Sequence, residues 1–284
     1  MKLAGYQIDL IEAGRVWLDG GAMFGIVPKP LWERRIAPDD RNRIPLAMRC
    51  LLLRGHGRTV LVDTGLGHKS DAKFRSIYGV DHEHSTLLGS LAAVGVAPDD
   101  VTDVVLTHLH FDHAGGATRR TDDGELALTF ANATHHVQRE HWAWAHESPR
   151  EGASFLPENL DPLEASGQLA MRDGDDAPFP GVSLHVVNGH TKAQQLVRVH
   201  DGERSLLHAA DLVPTAAHVP LLWVMAYDVE PLETIDEKER LLRRAAQEEW
   251  TLAFEHDPEV ATAGVVETER GFATRDESPG LPEV

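Results

Sequence analysis

Three histidines and an aspartate stand within six consecutive residues, His108-Leu109-His110-Phe111-Asp112-His113. Side chains so spaced cannot all share one face of a helix or a strand. Their chemistry is that of metal ligands. Neutral imidazole and carboxylate suit zinc and similar borderline cations, and a donor set without thiolate fits a catalytic ion better than a closed structural one. Further donors recur singly downstream, each at the end of an apolar run. His190 follows Val182-Ser183-Leu184-His185-Val186-Val187, Asp211 follows Leu206-Leu207-His208-Ala209-Ala210, and His256 lies in Phe254-Glu255-His256-Asp257. Solvated loop histidines would show no such recurrence.

Positioning these side chains requires strands that end where the ligands begin. Val104-Val105-Leu106-Thr107 reads as a short buried strand, and Ala114-Gly115-Gly116-Ala117 permits a tight turn. The histidines between them therefore belong to a loop that can aim neighbours at different points. Residues 2–10, 47–54 and 58–63 read as strands, the last two joined by Gly55-His56-Gly57, and strand character resumes at 126–130 and 134–138. Ser85 precedes a helical pattern over 85–95 carried by Leu87, Leu88, Leu91, Ala92 and Val94. Thr234 and Glu237 form a capping-box pattern that opens a helix to about Trp250. Periodicity thus gives an α/β protein. The stretch Gly20–Trp32 is apolar but broken by Gly and Pro, so it reads as a loop whose Met23, Phe24, Ile26 and Trp32 need cover. Three covers are open: the protein's own core, the mouth of the metal site, or a second copy of the chain in a homodimer.

With 284 residues the chain can bury a large core. Its 27 Lys and Arg against 45 Asp and Glu leave a net charge of −18, which repels phosphate backbones and argues against nucleic acid as a partner. A lone Cys50 excludes an intramolecular disulfide, and its apolar neighbours mark it as a buried small residue. Polar residues interrupt Met1–Asp9 too early for a signal peptide, and no stretch of about twenty apolar residues exists to span a membrane. A cytoplasmic protein is expected.

The full donor set resembles the metallo-β-lactamase superfamily, whose pattern is HxHxDH, then a His in a Gly-His-Thr turn, an Asp after a strand, and a late His. The intervals of 77 residues from His113 to His190, 21 to Asp211 and 45 to His256 are most similar to the branch of N-acyl-homoserine lactonases and related esterases and organophosphate hydrolases. The resemblance implies a four-layer αβ/βα sandwich over residues 1–284 as one domain. It also implies two divalent ions, zinc or else cobalt, manganese or iron. His108, His110 and His190 would hold one, Asp112, His113 and His256 the other, with Asp211 bridging. The implied activity is hydrolysis of lactones or other carboxylic esters by a hydroxide shared between the cations, with Asp112 giving a proton to the leaving group. An organophosphate triester or aryl ester hydrolase is the alternative within the same fold. An RNA-processing nuclease is disfavoured by the charge, and a non-enzymatic binding protein by the complete ligand set.

Supporting residues and departures also follow from the resemblance. Asp63, in Val60-Leu61-Val62-Asp63-Thr64-Gly65, matches an aspartate that steadies a ligating imidazole, although by itself the segment reads as an Asp-Thr-Gly turn. Thr191 adjoins His190 in the turn Asn188-Gly189-His190-Thr191. Lys192, Ala193 and Gln194 stand where many members read Pro, Gly and His. Pro214 stands where homoserine lactonases carry a tyrosine that bonds the substrate carbonyl. His218, Trp223 and Tyr227 are the candidates to replace that donor, and for His218 and Tyr227 a place in the core is the competing reading. Met23, Phe24 and Trp32 are candidate walls of the substrate pocket. The remaining histidines, His141 among them, read as solvated, with His135 or His136 a possible lining of the pocket.

Overall fold

Residues 43–55 form a strand that is buried almost throughout, as a strand covered on both faces must be. It pairs antiparallel with Tyr6–Asp19 on one side and Arg58–Val62 on the other. The computed structural model describes residues 1–282, and its architecture is two large sheets. The first runs Lys2–Leu3, Tyr6–Asp19, Arg43–Gly55, Arg58–Val62, Asp103–Val105, Thr134–Gln138 and Leu169–Arg172, and its last four strands are mutually parallel. The second runs Asp176–Phe179, Val182–Val187, Gln194–His200, Ser205–His208, Thr251–Ala253, Thr262–Thr268 and Gly271–Ser278. There only Ser205–His208 and Thr251–Ala253 pair in parallel.

Three apolar clusters fix the layers. Ile8, Leu51, Leu53 and Val62 of the first sheet meet Leu184, Val197, Val199 and Leu206 of the second, so the sheets pack face to face. Leu87 and Leu91, from the helix Leu87–Ala93, join the cluster on the outer side of the first sheet. Leu242 and Ala245, from the helix Pro231–Gln247, pack with Leu252, Phe254 and Val265 of the second. The result is the expected αβ/βα sandwich. No helix among the described residues is long and apolar enough to cross a membrane, and Cys50 is buried.

Several local boundaries differ from the sequence reading. The first long strand does not stop near residue 10, because a register shift between Glu12 and Arg15, with Gly14 at φ 119°, absorbs an extra residue and lets pairing continue to Asp19. Thr86 rather than Ser85 caps its helix, accepting from the Gly89 amide at 3.0 Å. The later helix begins at Pro231, a favoured first position, so Thr234 and Glu237 are not its capping box. The stretch 20–32 is not a loop throughout. It holds two short helices, Gly20–Phe24 and Lys29–Trp32, the first capped by Asp19 on the Ala22 amide at 2.8 Å. Phe24 stacks on Trp32 at 5.4 Å and on His218 at 4.7 Å, which places all three in the core, while Ile26 is 92% exposed.

Candidate metal centre

Both sheets deliver ligands from the carboxyl ends of their strands. Asp103–Val105 leads into His108 and His110, and one helical turn, Phe111–Ala114, carries Asp112 and His113. Val182–Val187 leads to His190, Ser205–His208 to Asp211 in the turn Ala210–Leu212, and Thr251–Ala253 to His256. Gln195 ties the sheets together beneath this point. Its amide donates to the carbonyls of Leu106 and His136, at 2.7 and 3.1 Å, and accepts from Gln138 at 2.9 Å.

The seven side chains converge. Ligand atoms of His108, His110 and His190 lie within 4.8 Å of one another, as do those of Asp112, His113 and His256, and those of His108, His113 and Asp211. Asp211 reaches both groups, with Oδ2 3.3 Å from His190 Nε2 and Oδ1 3.0 Å from His256 Nε2. His190 Nε2 faces His110 Nδ1 at 3.3 Å, and His256 Nε2 faces His113 Nε2 at 3.1 Å. His108 Nε2 is buried with no hydrogen-bond partner. Buried ring nitrogens seldom remain unpaired or confront one another without a proton or cation between them. This donor set fits divalent metal.

What stands behind each ring decides which nitrogen it presents. The Thr107 hydroxyl donates to Asp63 at 2.6 Å, so it accepts from His108 Nδ1 at 3.0 Å, and His108 Nε2 is left bare toward the site. His110 is turned the other way: its Nε2 meets Glu151 at 2.9 Å, and Nδ1 points inward. Glu151 is itself held by Trp144 and Ser148, at 2.5 and 2.9 Å. His190 Nδ1 donates to Asp228 at 2.9 Å, and His256 Nδ1 to the Ala47 carbonyl at 2.8 Å. His113 Nδ1 lies between Glu255 and Asp63, at 3.1 and 3.2 Å. Such partners fix the tautomer and raise the basicity of a ligand. Burial works against the charge on Asp63, yet hydrogen bonds from His113 and His208 hold its carboxyl well below the usual carboxylate range. Burial likewise opposes protonation of His208, but Asp63 and Glu255 raise it to about 9.

Of these supporting residues only Asp63 is legible in the sequence; Glu151, Asp228, Glu255 and Thr107 are not. Glu255 and Thr107 adjoin ligands in the chain, and that was the available signal. Glu151 and Asp228 stand 41 and 38 residues from the histidines they hold, and nothing local marks them. His141 is not solvated as read. It is fully buried, accepts from the Leu109 amide at 2.8 Å and donates to the Lys192 carbonyl at 2.6 Å, so it clamps the loop between two ligands. Thr191 is buried in the His190 turn. His135 and His136 are buried in their strand and do not line the cavity, His136 pairing with Asp103 at 2.9 Å.

A cavity opens above the ligands, walled by apolar side chains with a few polar groups converging at its floor. Met23 and Tyr227 line it, with Leu18, Leu46, Phe111 and Met225 completing an apolar wall. Phe24 and Trp32 do not, because their rings are spent on each other behind that wall. Nor does His218, whose nitrogens are both engaged, by the Met23 carbonyl at 2.8 Å and Thr215 at 2.7 Å. Tyr78 and Tyr227 both reach the cavity, and burial raises each phenol above its ordinary value, so both are neutral donors near pH 7.

Residues 45–256 match the family model of the metallo-beta-lactamase superfamily. The chain belongs to this superfamily. An N-acyl homoserine lactonase of Bacillus thuringiensis is 30% identical over 199 residues, 66% of this chain and 68% of that protein. A probable metal-dependent hydrolase from Staphylococcus aureus superposes with a TM-score of 0.88 at 30% identity, covering 97% of this chain and 99% of that one. The dizinc quorum-quenching lactonase AidC shares the fold, with a TM-score of 0.79 at 20% identity over 98% and 96% of the two chains. This superfamily member is a metal-dependent hydrolase.

Proposed function

We propose that the protein is a dinuclear metal-dependent hydrolase of lactones or other carboxylic esters. The observation that carries this reading is the convergence of seven donors in two groups sharing Asp211, beneath a largely apolar cavity. His108, His110 and His190 would hold one divalent cation and Asp112, His113 and His256 a second, with Asp211 common to both. When bound, the pair supplies Lewis acidity toward a carbonyl oxygen and lowers the pKa of a water toward neutrality. The chain's own residues do the rest. Glu151, Asp228, Glu255 and Asp63 keep the imidazoles oriented, so little reorganisation is left for the reaction itself. Asp112 lines the cavity, and its carboxylate would take the remaining proton of the attacking oxygen once that oxygen has joined the acyl carbon and pass it to the departing alkoxide. Tyr227, a neutral phenol in the same cavity, takes the part of hydrogen-bond donor to the substrate carbonyl that Pro214 cannot play. Met23 and Met225 offer acyl or aryl groups an apolar surface.

The lactonase relative supports the ester class, and metal analysis with a substrate panel tests it. Metal-replete protein is expected to carry about two divalent cations per chain, zinc in the first instance, and to turn over lactones and aryl esters faster than phosphotriesters. One ion or none, or turnover confined to phosphotriesters, would overturn the proposal.

A further inference from the structure

Arg150 is the one arginine or lysine among the cavity-lining residues. It is exposed. Its neighbour Glu151 is committed to His110, Trp144 and Ser148, and its own Nη2 donates to the Ala226 carbonyl at 2.5 Å. No carboxylate lies within ion-pair distance of the guanidinium among the described residues. The bond to Ala226, beside Tyr227, fixes one edge of the fork against the cavity wall. Nε and Nη1 make no hydrogen bond among the described residues, and the residue lines a cavity that also holds Asp112, His110 and His190.

We infer that Arg150 is a specificity-determining residue that receives an oxyanion, carboxylate or phosphate, on a part of the substrate remote from the scissile bond. A planar guanidinium with one edge already anchored presents its remaining donors in fixed geometry, which suits two-point binding of such a group. With divalent cations at the ligands, their charge would outweigh that of Asp112 and Asp211. A second positive group in the same cavity, held apart from the ligands, then acts most strongly on a substrate that is itself anionic. The natural substrate is accordingly an ester or lactone bearing an acidic group, set between the apolar wall and Arg150. This rests on reading the cavity as the site of ester hydrolysis.

The test separates the two readings by measuring binding apart from turnover. Calorimetry on metal-replete protein compares succinate, glutarate and adipate with their monomethyl esters, each of which keeps one carboxylate for the metals and lacks the second. Wild type is expected to bind the best-fitting diacid about tenfold or more tightly than its monoester. Arg150→Met should abolish that ratio and Arg150→Lys should restore part of it. 3-Phosphonopropionate in place of succinate distinguishes a phosphate from a carboxylate preference. Equal affinity of diacid and monoester in wild type overturns the inference, and so does a ratio that survives Arg150→Met. An equal loss for both ligands would assign Arg150 a structural role instead. Failure of the wild type to cleave any ester would defeat the proposed function while leaving the ratio measurable.

Discussion

Asp211 is the side chain whose charge is shared by both donor groups, with one oxygen at His190 and the other between His256 and His113. Asp211→Asn keeps the shape and removes the charge. A ligand common to two cations would contribute more than the 10–100-fold of a supporting residue, so on the proposed function turnover is expected to fall by more than about a hundredfold with the fold retained. Steady-state kinetics beside metal content and circular dichroism would check this, and near-wild-type turnover would mean that Asp211 does not join the two groups. All seven donors were legible because each lies in a short motif at a strand end. The partners that aim them were mostly hidden. Glu151 and Asp228 contact their histidines only after the chain has folded back on itself, and His141 reads as a solvated histidine until its ring is seen between Leu109 and Lys192.

The helix Pro231–Gln247 shows how an element can serve the site without touching it. Glu237 accepts from the Asn188 and Gly189 amides, at 2.7 and 3.0 Å, and so pins the turn that presents His190. The contact is close, since a Cβ on Gly189 would meet the Thr234 backbone nitrogen at 2.3 Å. Glu237→Ala would leave two amides without an acceptor, at a cost of about 1–3 kcal/mol each where they are buried. The expected outcome is a lower denaturant midpoint together with weaker metal retention in a chelator competition. Lower stability with unchanged metal retention would confine Glu237 to a structural role. In sequence the same glutamate, three residues after Thr234, resembles a capping box, because the local pattern cannot reveal that a turn nearly fifty residues away competes for its carboxylate. The stretch 20–32 misleads for a related reason. Gly and Pro break its periodicity, yet Asp19 caps one short helix and aromatic stacking of Phe24 and Trp32 holds both in place. The ring pair that looked available for substrate is used to build the wall.

At the scale of the molecule, the centre sits where two sheets meet, and it draws its ligands from both. His108, His110, Asp112 and His113 follow one strand of the first sheet, and His190, Asp211 and His256 follow three strands of the second. Cations held there would cross-link the halves of the sandwich. Without them, buried imidazoles face each other and carboxylates add to an already acidic chain. Metal that binds only the folded state stabilises it by about 3–4 kcal/mol when its free concentration is roughly a hundred to a thousand times Kd. For a chain of this length that corresponds to a Tm shift of about 5–7 °C. Chelated protein should therefore melt lower by about that much, and zinc or cobalt should restore the transition. A variant stripped of the second sheet's ligands, His190→Ala with Asp211→Ala and His256→Ala, should lose most of the metal-dependent increment, because its cations would no longer join the two sheets. An unchanged Tm after chelation would show that the sandwich is held by its three apolar clusters alone and that the centre is a passenger on the fold.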